Sequence, residues 1–342
     1  MRGLAASAAV SAAPGSRAGV GPVVFACDAN YAMPLATVIR SLVENNRKAW
    51  PLDVHVFWEG PEAICRRVEE SLPPGAASIR WIPVDLDAFQ GLATPPGVSR
   101  MTYARLLIPS VFAESVERVL YLDVDMLVLG ELAPLFGADL RGAVAGAVPD
   151  VALARVRGTG EFTIGAAAND NPAMAGLLRF WRQALPRVPQ VADYFNAGML
   201  LIDLPRWREA HVSEAALAFL QQNPTSPFSD QDALNVACDG KWVRVAPRWN
   251  HQDHLLERIA ELDEARRPGI VHFATSDKPW KASAASDNAA LWDDYRGRTR
   301  FARTRRERAA DALQARWVRA KRGLMRVKVL RALWRALKPR QA

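Results

Sequence analysis

The sequence predicts an α/β fold with a mostly parallel central sheet and helices on both of its faces. Short apolar, β-rich runs alternate with stretches whose apolar residues recur every three or four positions, as in amphipathic helices. The 342 residues are half hydrophobic and 23% charged, which excludes the composition of a disordered chain. A chain of this length supplies a large buried core.

In the first half of the chain, four predicted strands are separated by helical segments. The strands are predicted at residues 23–27, 53–58, 79–84 and 119–122, and the helices at 33–47, 62–72 and 101–109. The first helix places Leu35, Val38, Ile39 and Leu42 on one face. Strands joined by helices form parallel sheets, whose ligands bind at the carboxyl ends of the strands.

The second half is more mixed but continues the same domain. Strands are predicted at residues 143–148, 199–204 and 270–273, and helices at 171–185, 207–222 and 230–238. No internal repeat separates these elements. We therefore predict a flexible N-terminal extension at 1–21, one αβα domain at 22–285 and a separate tail at 286–342.

The three cysteines (Cys27, Cys65 and Cys238) are too few and too widely spaced for a disulfide framework or a thiolate zinc site. They favour a reducing compartment. No apolar run approaches the ~20 residues that span a bilayer. These features predict a cytoplasmic protein.

Positive charge is concentrated at the C-terminal end. Residues 301–342 hold 14 of the 44 basic and 2 of the 36 acidic residues, so this segment carries +12 and the remainder carries −4. An acidic body argues against an enzyme that binds nucleic acid through a basic face.

Two carboxylates follow the fourth predicted strand. Asp123 and Asp125 are two residues apart, so in an extended backbone their side chains point to the same side. Two like charges so close are unfavourable unless a cation lies between them. A divalent ion held there would bridge a diphosphate. The alternative is an acidic junction between strand and loop that faces water.

A family resemblance extends over most of the domain. It rests on six ordered segments, VVFACDANY (23–31), TYARL (102–106), RVLYLDVDMLVLGELAPLF (118–136), YFNAGMLLIDLPRW (194–207), SDQDAL (229–234) and VHFATSDKPW (271–280). Together they resemble the family 8 glycosyltransferases, which include bacterial lipopolysaccharide galactosyl- and glucosyltransferases and glycogenin. The resemblance implies a single Rossmann-like, nucleotide-sugar-binding domain of the GT-A type and a UDP-sugar donor.

The resemblance assigns the nucleotide side of the site. Ala26, Asp28, Asn30 and Tyr31 match the positions that bind uracil and ribose, and Arg105 matches an arginine that contacts the donor sugar or the phosphates. The alternative for Tyr31 is a surface aromatic at the start of a helix, and the alternative for Arg105 is an exposed helix arginine, the default for a lone arginine.

The resemblance also assigns a metal site. Asp123 and Asp125 match a metal-binding pair that manganese usually fills, with Val124 between them, and His272 matches the third protein ligand. Two carboxylates and one imidazole leave room for two phosphate oxygens on an octahedral ion. By itself, a histidine on an apolar strand is more often a core residue.

Lys278 matches a cation that grips the diphosphate opposite the metal. The bacterial enzymes carry a glycine between the histidine and this lysine, where a backbone amide meets phosphate. This chain has Thr275 there, which keeps the amide but hinders close approach of the backbone.

Five residues match positions that line the donor sugar: Asp150, Asn196, Ala197, Asp230 and Gln231. Gln231 stands where the family places a nucleophile or a stabilising carbonyl. Because an amide is a poor nucleophile, we favour front-face substitution with retention, in which a diphosphate oxygen is the base and Asp230 stabilises developing positive charge. Asp230 is alternatively a helix N-cap, since Ser229 and Asp230 precede an apolar helix.

The C-terminal tail reads as a basic amphipathic helix. Its apolar residues recur three or four apart, at Leu313, Trp317, Ala320, Leu324, Val327, Leu330, Trp334 and Leu337, with Arg and Lys between them. This pattern is typical of a helix lying in an anionic membrane surface. It predicts peripheral attachment to the inner face of the cell membrane and a lipid-linked glycan acceptor. The alternatives are packing on the body and, less favoured, nucleic-acid binding.

Other functions remain open at this stage. A nicotinamide oxidoreductase lacks support, because no G-x-G-x-x-G follows the first strand. A non-catalytic nucleotide-sugar-binding membrane module would not need the sugar-side residues, which are present. A self-glucosylating protein of the glycogenin type is disfavoured by the five tyrosines and the tail. The choice between galactose and glucose, and the acceptor, are not encoded in any pattern.

Overall fold

The computed structural model describes residues 19–92, 94, 99–151, 179–183, 193–253, 259, 262–263, 266–282, 284, 286 and 288–326. The strands are β1 (Val23–Asp28), β2 (Leu52–Glu59), β3 (Ala77–Pro83), β4 (Arg118–Leu122), β5 (Met126–Val128), β6 (Ala145–Pro149), β7 (Phe195–Asp203), β8 (Trp242–Arg244), β9 (His251–Gln252) and β10 (Ile270–His272). The helices are α1 (Ala32–Asn45), α2 (Glu62–Glu69), α3 (Ile108–Val111), α4 (Ala133–Phe136), α5 (Leu204–Glu209), α6 (Val212–Gln222), α7 (Asp230–Ala237), α8 (Ala289–Gly297) and α9 (Arg305–Arg326).

Seven strands form the central sheet, in the order β3-β2-β1-β4-β7-β6-β8. The pairs β3-β2, β2-β1, β1-β4 and β6-β8 are parallel, whereas β7 runs antiparallel to both of its neighbours. The predicted α/β class with a mostly parallel sheet is therefore confirmed. Because β7 is reversed, its first residues lie beside the carboxyl ends of β4 and β6.

A second, three-stranded sheet lies beyond the end of β4, in the order β5-β10-β9. Its register pairs His272 with Met126 and with Gln252. Strands β5, β8 and β9 were not predicted, because runs of two or three residues are too short to have a recognisable period. This small sheet brings the end of β10 to the Asp123–Asp125 turn.

Apolar side chains pack on both faces of the central sheet, as the alternation along a strand requires. On β1, Val24 faces one layer while Val23 and Phe25 face the other. The first layer consists of residues 100–107 with α5, α6 and α7, and the second of α1, α2 and α4. This arrangement agrees with the predicted helices on both faces.

Several predicted elements differ in detail from the structure. The helix predicted at 101–109 is a 3₁₀ helix over Arg100–Leu107 that continues into α3. The helix predicted at 207–222 is two helices, because His211 adopts a left-handed conformation with φ of 49° between α5 and α6. The strand predicted at 199–204 begins earlier, at Phe195. Of the helix predicted at 171–185, only residues 179–183 are described, and they are helical.

Residues after the predicted boundary at 285 also pack on the body. Trp292 of α8 is fully buried, and Tyr295 accepts a hydrogen bond from Asn45 Nδ2 of α1 at 2.9 Å. The described side chains of α9, up to Trp317, are exposed except for the half-buried Asp311. We propose to place the division between domain and tail near residue 304. Residues 1–18, most of the predicted extension, lie outside the described residues, as do the tail side chains beyond Trp317.

Candidate functional site

A cavity of about 490 Å³ opens where β1 and β4 end and β7 begins. Fourteen of the sixteen predicted site residues line it: Ala26, Asp28, Tyr31, Arg105, Asp123, Val124, Asp125, Asn196, Ala197, Asp230, Gln231, His272, Thr275 and Lys278. Asp150 lies just behind the wall, and Asn30 is exposed outside it. The cavity is therefore at the carboxyl ends of parallel strands, where α/β proteins bind ligands.

Asp123, Asp125 and His272 converge on one wall of this cavity, with their ligand atoms all within 4.8 Å of one another. His272 Nε2 lies 3.3 Å from Asp125 Oδ1 and 4.0 Å from Asp123 Oδ2. Asp125 Oδ1 is buried without a hydrogen-bond partner. A buried carboxylate oxygen in this state is costly unless something else satisfies it, and a divalent cation with two carboxylates and an imidazole would do so. The residues thus fit a metal ion.

The environment of His272 fixes its tautomer. Asn250 donates from Nδ2 to Asn196 Oδ1 at 3.0 Å, so Asn250 Oδ1 faces the imidazole and accepts from Nδ1 at 3.0 Å. The Nε2 lone pair is then directed toward the carboxylates, as in metal-binding histidines whose second nitrogen is hydrogen-bonded.

Gly198 leaves room for this cluster. A Cβ atom on Gly198 would lie 2.4 Å from His272 Cε1 and 2.9 Å from Asp123 Oδ2. A β-carbon never approaches its neighbours so closely, so only glycine is compatible with the observed position of the imidazole.

Lys278 is the cation nearest to the carboxylates. Its Nζ lies 2.5 Å from Asp125 Oδ2 and donates to the carbonyl of Phe273 at 2.9 Å. Burial acts to raise the pKa of Asp125, but the positive charge of Lys278 opposes it, and that pKa lies far below the usual range. Burial acts to lower the pKa of Lys278, but Asp125 raises it overall. Both groups are therefore charged at neutral pH.

Arg105 is buried and contacts several residues of the site, so it is not the exposed helix arginine of the alternative interpretation. Its guanidinium contacts Asp123 Oδ1 at 2.9 Å and Asp230 Oδ2 at 3.1 Å, and donates to the carbonyl of Ala197 at 2.7 Å. Thr102 Oγ1 donates to Asp230 Oδ1 at 2.8 Å. Burial raises the pKa of Asp230, although Arg105 opposes this shift. Arg105 thereby connects the metal-type cluster to the sugar side of the cavity.

Gln231 is held in one orientation. Its Oε1 accepts from the backbone N–H of Ala197 at 3.0 Å, and its Nε2 donates to Asp150 Oδ2 at 3.2 Å. Asp150 Oδ2 also accepts from Asn196 Nδ2 at 3.1 Å. Asp230 lines the cavity and is the first residue of α7, whose N-cap is Ser229, so the alternative interpretation of Asp230 as an N-cap is wrong.

On the nucleotide side, Asp28 Oδ1 accepts from the backbone N–H of Asn30 at 2.9 Å and so fixes the short turn that carries Tyr31. The Tyr31 ring meets the edge of Trp280, with the ring centroids 6.2 Å apart. Thr275 is exposed, and its hydroxyl accepts from the backbone N–H of Asp277 at 3.3 Å.

Sequence reasoning gave no role to five residues of this site: Thr102, Tyr121, Gly198, Asn250 and Trp280. Tyr121 donates to Asp123 Oδ1 at 2.7 Å and stacks beneath Arg105. All of these except Asn250 belong to the segments that carry the family resemblance, which was the available signal. Asn250 belongs to no motif, and only its contact with His272 identifies it.

Comparison with known proteins gives consistent results. The family model described as Glycosyl transferase family 8 matches residues 22–284. Glycosyltransferase GlyF of Streptococcus pneumoniae is 30% identical over 80% of this chain, which spans 61% of the GlyF length. Lipopolysaccharide 1,2-glucosyltransferase of Escherichia coli is 24% identical, covering 75% of this chain and 72% of that protein.

Among solved structures, an active-site mutant of LgtC is similar with a TM-score of 0.66 and 25% identity, covering 84% of this chain and 99% of LgtC. This likeness confirms the predicted GT-A type of α/β domain. The ordered segments, the architecture and the match over most of the domain agree, and the chain belongs to glycosyltransferase family 8.

Proposed function

We propose that this chain is a retaining hexosyltransferase that moves galactose or glucose from a UDP-sugar to a saccharide acceptor. One observation carries the proposal: a single cavity has the Asp123–Asp125–His272 cluster with Lys278 on one wall and the Asp230–Gln231 pair on another. The first group suits a diphosphate, and the second suits a sugar next to it. Relatives named as lipopolysaccharide 1,2-glucosyltransferase and 1,3-galactosyltransferase support a hexose donor.

In this proposal the chain binds the donor along the wall from β1 to β10. Asp28 and Tyr31 receive the uracil and ribose, with Trp280 packed against the tyrosine ring. Lys278 supplies a positive charge for the diphosphate, since its pKa is raised and it stays protonated. Asp123, Asp125 and His272 would hold Mn²⁺ or another divalent cation, which when bound neutralises charge on the departing diphosphate.

The residues on the sugar side of the cavity favour front-face substitution, in which the acceptor attacks from the face that the leaving group departs from. Gln231 Oε1 already accepts from Ala197, and an amide oxygen is a weak nucleophile, so a covalent intermediate on Gln231 is disfavoured. Asp230 is held by Thr102 and Arg105 with one carboxylate oxygen on each, which keeps it beside the cavity to stabilise positive charge in the transition state. The acceptor hydroxyl then attacks the anomeric carbon from the face on which the bond to the diphosphate breaks, its proton passes to the departing phosphate oxygen, and the configuration is retained.

The experiment is UDP release from UDP-galactose and UDP-glucose, with and without Mn²⁺, together with calorimetric binding of UDP. Release that requires metal, prefers one sugar and disappears in Asp125→Asn supports the proposal and identifies the sugar. Asp139→Asn is the matched control, because Asp139 is exposed outside the cavity and accepts from the Arg141 N–H, a bond that asparagine keeps. Metal-independent binding without release would favour a non-catalytic nucleotide-sugar module.

The acceptor is proposed to be a lipid-linked glycan such as lipopolysaccharide, reached from an anionic membrane surface. Helix α9 supports this proposal, because its Leu313 and Trp317 are 70% and 60% exposed and four residues apart on one face among basic residues. No helix in the described part of the chain is long and apolar enough to cross a bilayer.

Attachment through the tail is tested by sedimentation with anionic vesicles. A chain that ends at residue 304 keeps α8 and its buried Trp292, whereas one that ends at 285 would lose them. Full-length protein should bind anionic but not neutral vesicles, and the chain ending at 304 should bind neither. Equal binding by both chains would exclude this role for the tail.

A further inference from the structure

Arg303 joins three elements behind the donor side of the cavity. Its Nη2 donates to the carbonyl of Trp280 at 2.8 Å, its Nε lies 2.8 Å from Asp311 Oδ2 of α9, and its Nη1 donates to both carboxylate oxygens of Asp293 of α8. The Arg303 side chain is only 12% exposed. One planar guanidinium therefore holds a cavity turn and two helices together.

The turn that Arg303 holds forms part of the cavity wall. It is closed by the backbone N–H of Lys281, which donates to the carbonyl of Lys278 at 3.0 Å. The Trp280 ring packs 5.0 Å from Trp292 of α8 and edge-on against Tyr31. Lys278 and Trp280 line the donor cavity, while Arg303, which does not line it, binds the backbone carbonyl of Trp280.

Helix α9 begins directly after Arg303. The backbone N–H of Thr304 donates to Glu307 Oε2 at 2.7 Å, and the backbone N–H of Glu307 donates to Thr304 Oγ1 at 3.2 Å, which is a capping box. Asp311 is one turn further along α9. The start of the helix is thus fixed at Thr304, directly after Arg303, and the ion pair between Arg303 and Asp311 ties the first turns of α9 to Arg303.

An ordinary surface ion pair would have little effect beyond local stability. Arg303 differs because it is shielded and because one of its acceptors is the backbone of the turn that carries Lys278. Loss of Arg303 would leave the Trp280 carbonyl without this donor and the carboxylates of Asp293 and Asp311 without their shared cation.

We propose that Arg303 is a positioning residue for donor binding: it holds the Lys278–Lys281 turn against the cavity and makes donor affinity depend on the orientation of α9. This inference rests on the proposed function. A surface that binds α9 and reorients it therefore acts on the donor site through Arg303.

The test measures binding of UDP in the presence of Mn²⁺, and of Mn²⁺ alone, by calorimetry on the full chain. Arg303→Ala should raise the Kd of UDP by about 5- to 150-fold, the usual range of coupling between sites. Asp311→Ala, which breaks only the link to α9, should raise it in the same direction. The double variant should bind no more weakly than Arg303→Ala, because both changes act through one contact.

Binding of Mn²⁺ alone should not weaken in any variant, since Arg303 contacts none of the three proposed ligands and displacement of Lys278 would only remove a competing cation from Asp125. Arg300→Ala is the matched control, because the Arg300 side chain is 64% exposed and, within the part of the chain that the structure describes, its ion pair is with Glu70 at 3.6 Å. If Arg303→Ala proves unstable, Asp311→Ala carries the test.

Unchanged UDP affinity in Asp311→Ala and Arg303→Ala would overturn the inference, as would an equal loss of Mn²⁺ affinity, which indicates general disruption. If the wild-type protein binds no UDP, the proposed function fails and this inference fails with it. If the wild-type protein binds UDP and the variants bind it equally well, only this inference is overturned and the proposed function stands.

Discussion

Gly198→Ala should disrupt the metal site from the backbone side. The new Cβ would lie 2.4 Å from His272 Cε1, whereas carbon atoms in contact are about 3.5–4.0 Å apart. The imidazole must therefore move by about 1 Å, because Gly198 is in the centre of β7, where its backbone is held by the sheet. The third proposed ligand would then be out of place.

The size of the effect follows from the tolerance of such sites. The atoms of a functional site are usually held within about 0.5 Å of their productive positions. A shift of the imidazole by about 1 Å exceeds this tolerance. Loss of a supporting hydrogen bond already weakens metal binding by about 10- to 100-fold, and we expect at least this loss, or about 1.4–2.8 kcal/mol. Overpacking should also lower the free energy of unfolding by about 1–3 kcal/mol.

The assay is Mn²⁺ binding by calorimetry or by the electron paramagnetic resonance signal of free Mn²⁺, with urea denaturation in parallel. Gly146→Ala is the matched control, because its Cβ would be crowded at 2.8 Å by Leu140 and Val245, away from the cavity. It should lose stability but keep Mn²⁺ affinity. Wild-type Mn²⁺ affinity in Gly198→Ala would refute the reasoning.

Two further predictions concern the same site, and a third concerns the buried Asp232, which does not line the cavity. Asn250→Ala removes the acceptor of the His272 Nδ1–H and should weaken Mn²⁺ binding about 10- to 100-fold by calorimetry; unchanged affinity would contradict the assigned tautomer. Lys278→Met should weaken binding of UDP but not of uridine, and equal losses for both ligands would argue against a diphosphate role. Tyr194→Phe removes a 2.7 Å hydrogen bond to the buried Asp232 and should lower the free energy of unfolding by about 1–3 kcal/mol at pH 7. Burial raises the pKa of Asp232, and loss of this donor raises it further, so the deficit should grow as pH increases above about 4 through that raised pKa. A deficit that is constant from pH 4 to 8 in urea titrations would contradict this assignment.

Much of the site could be predicted because its residues follow strand ends in recognisable segments. The resemblance gave the residues, and the structure brings fourteen of the sixteen to one cavity. The resemblance could not identify which residues these side chains contact. Arg105 is predicted to contact the donor, and no local pattern indicates that its guanidinium also binds Asp123, Asp230 and the carbonyl of Ala197.

The secondary structure likewise has features that follow from local sequence patterns and features that depend on packing. Strands β1, β2 and β4 follow from local apolar runs. The break at His211 does not, because the apolar period continues from α5 into α6 and only the packing of the two helices requires the turn. The burial of α8 was also not predicted. Its sequence contains several charged residues, and no local pattern indicates that Trp292 packs against Phe273.

The sequence by itself determined the α/β class, the family and the residues that end the strands, because each is expressed in patterns a few residues long. Only the tertiary structure decided that β7 runs antiparallel and brings Gly198 to Asp123, that Asn250 orients His272, and that Arg303 reaches the donor turn. These depend on contacts between residues 22 to 75 positions apart in the sequence, and burial and hydrogen bonding select such pairs only when the whole chain has folded.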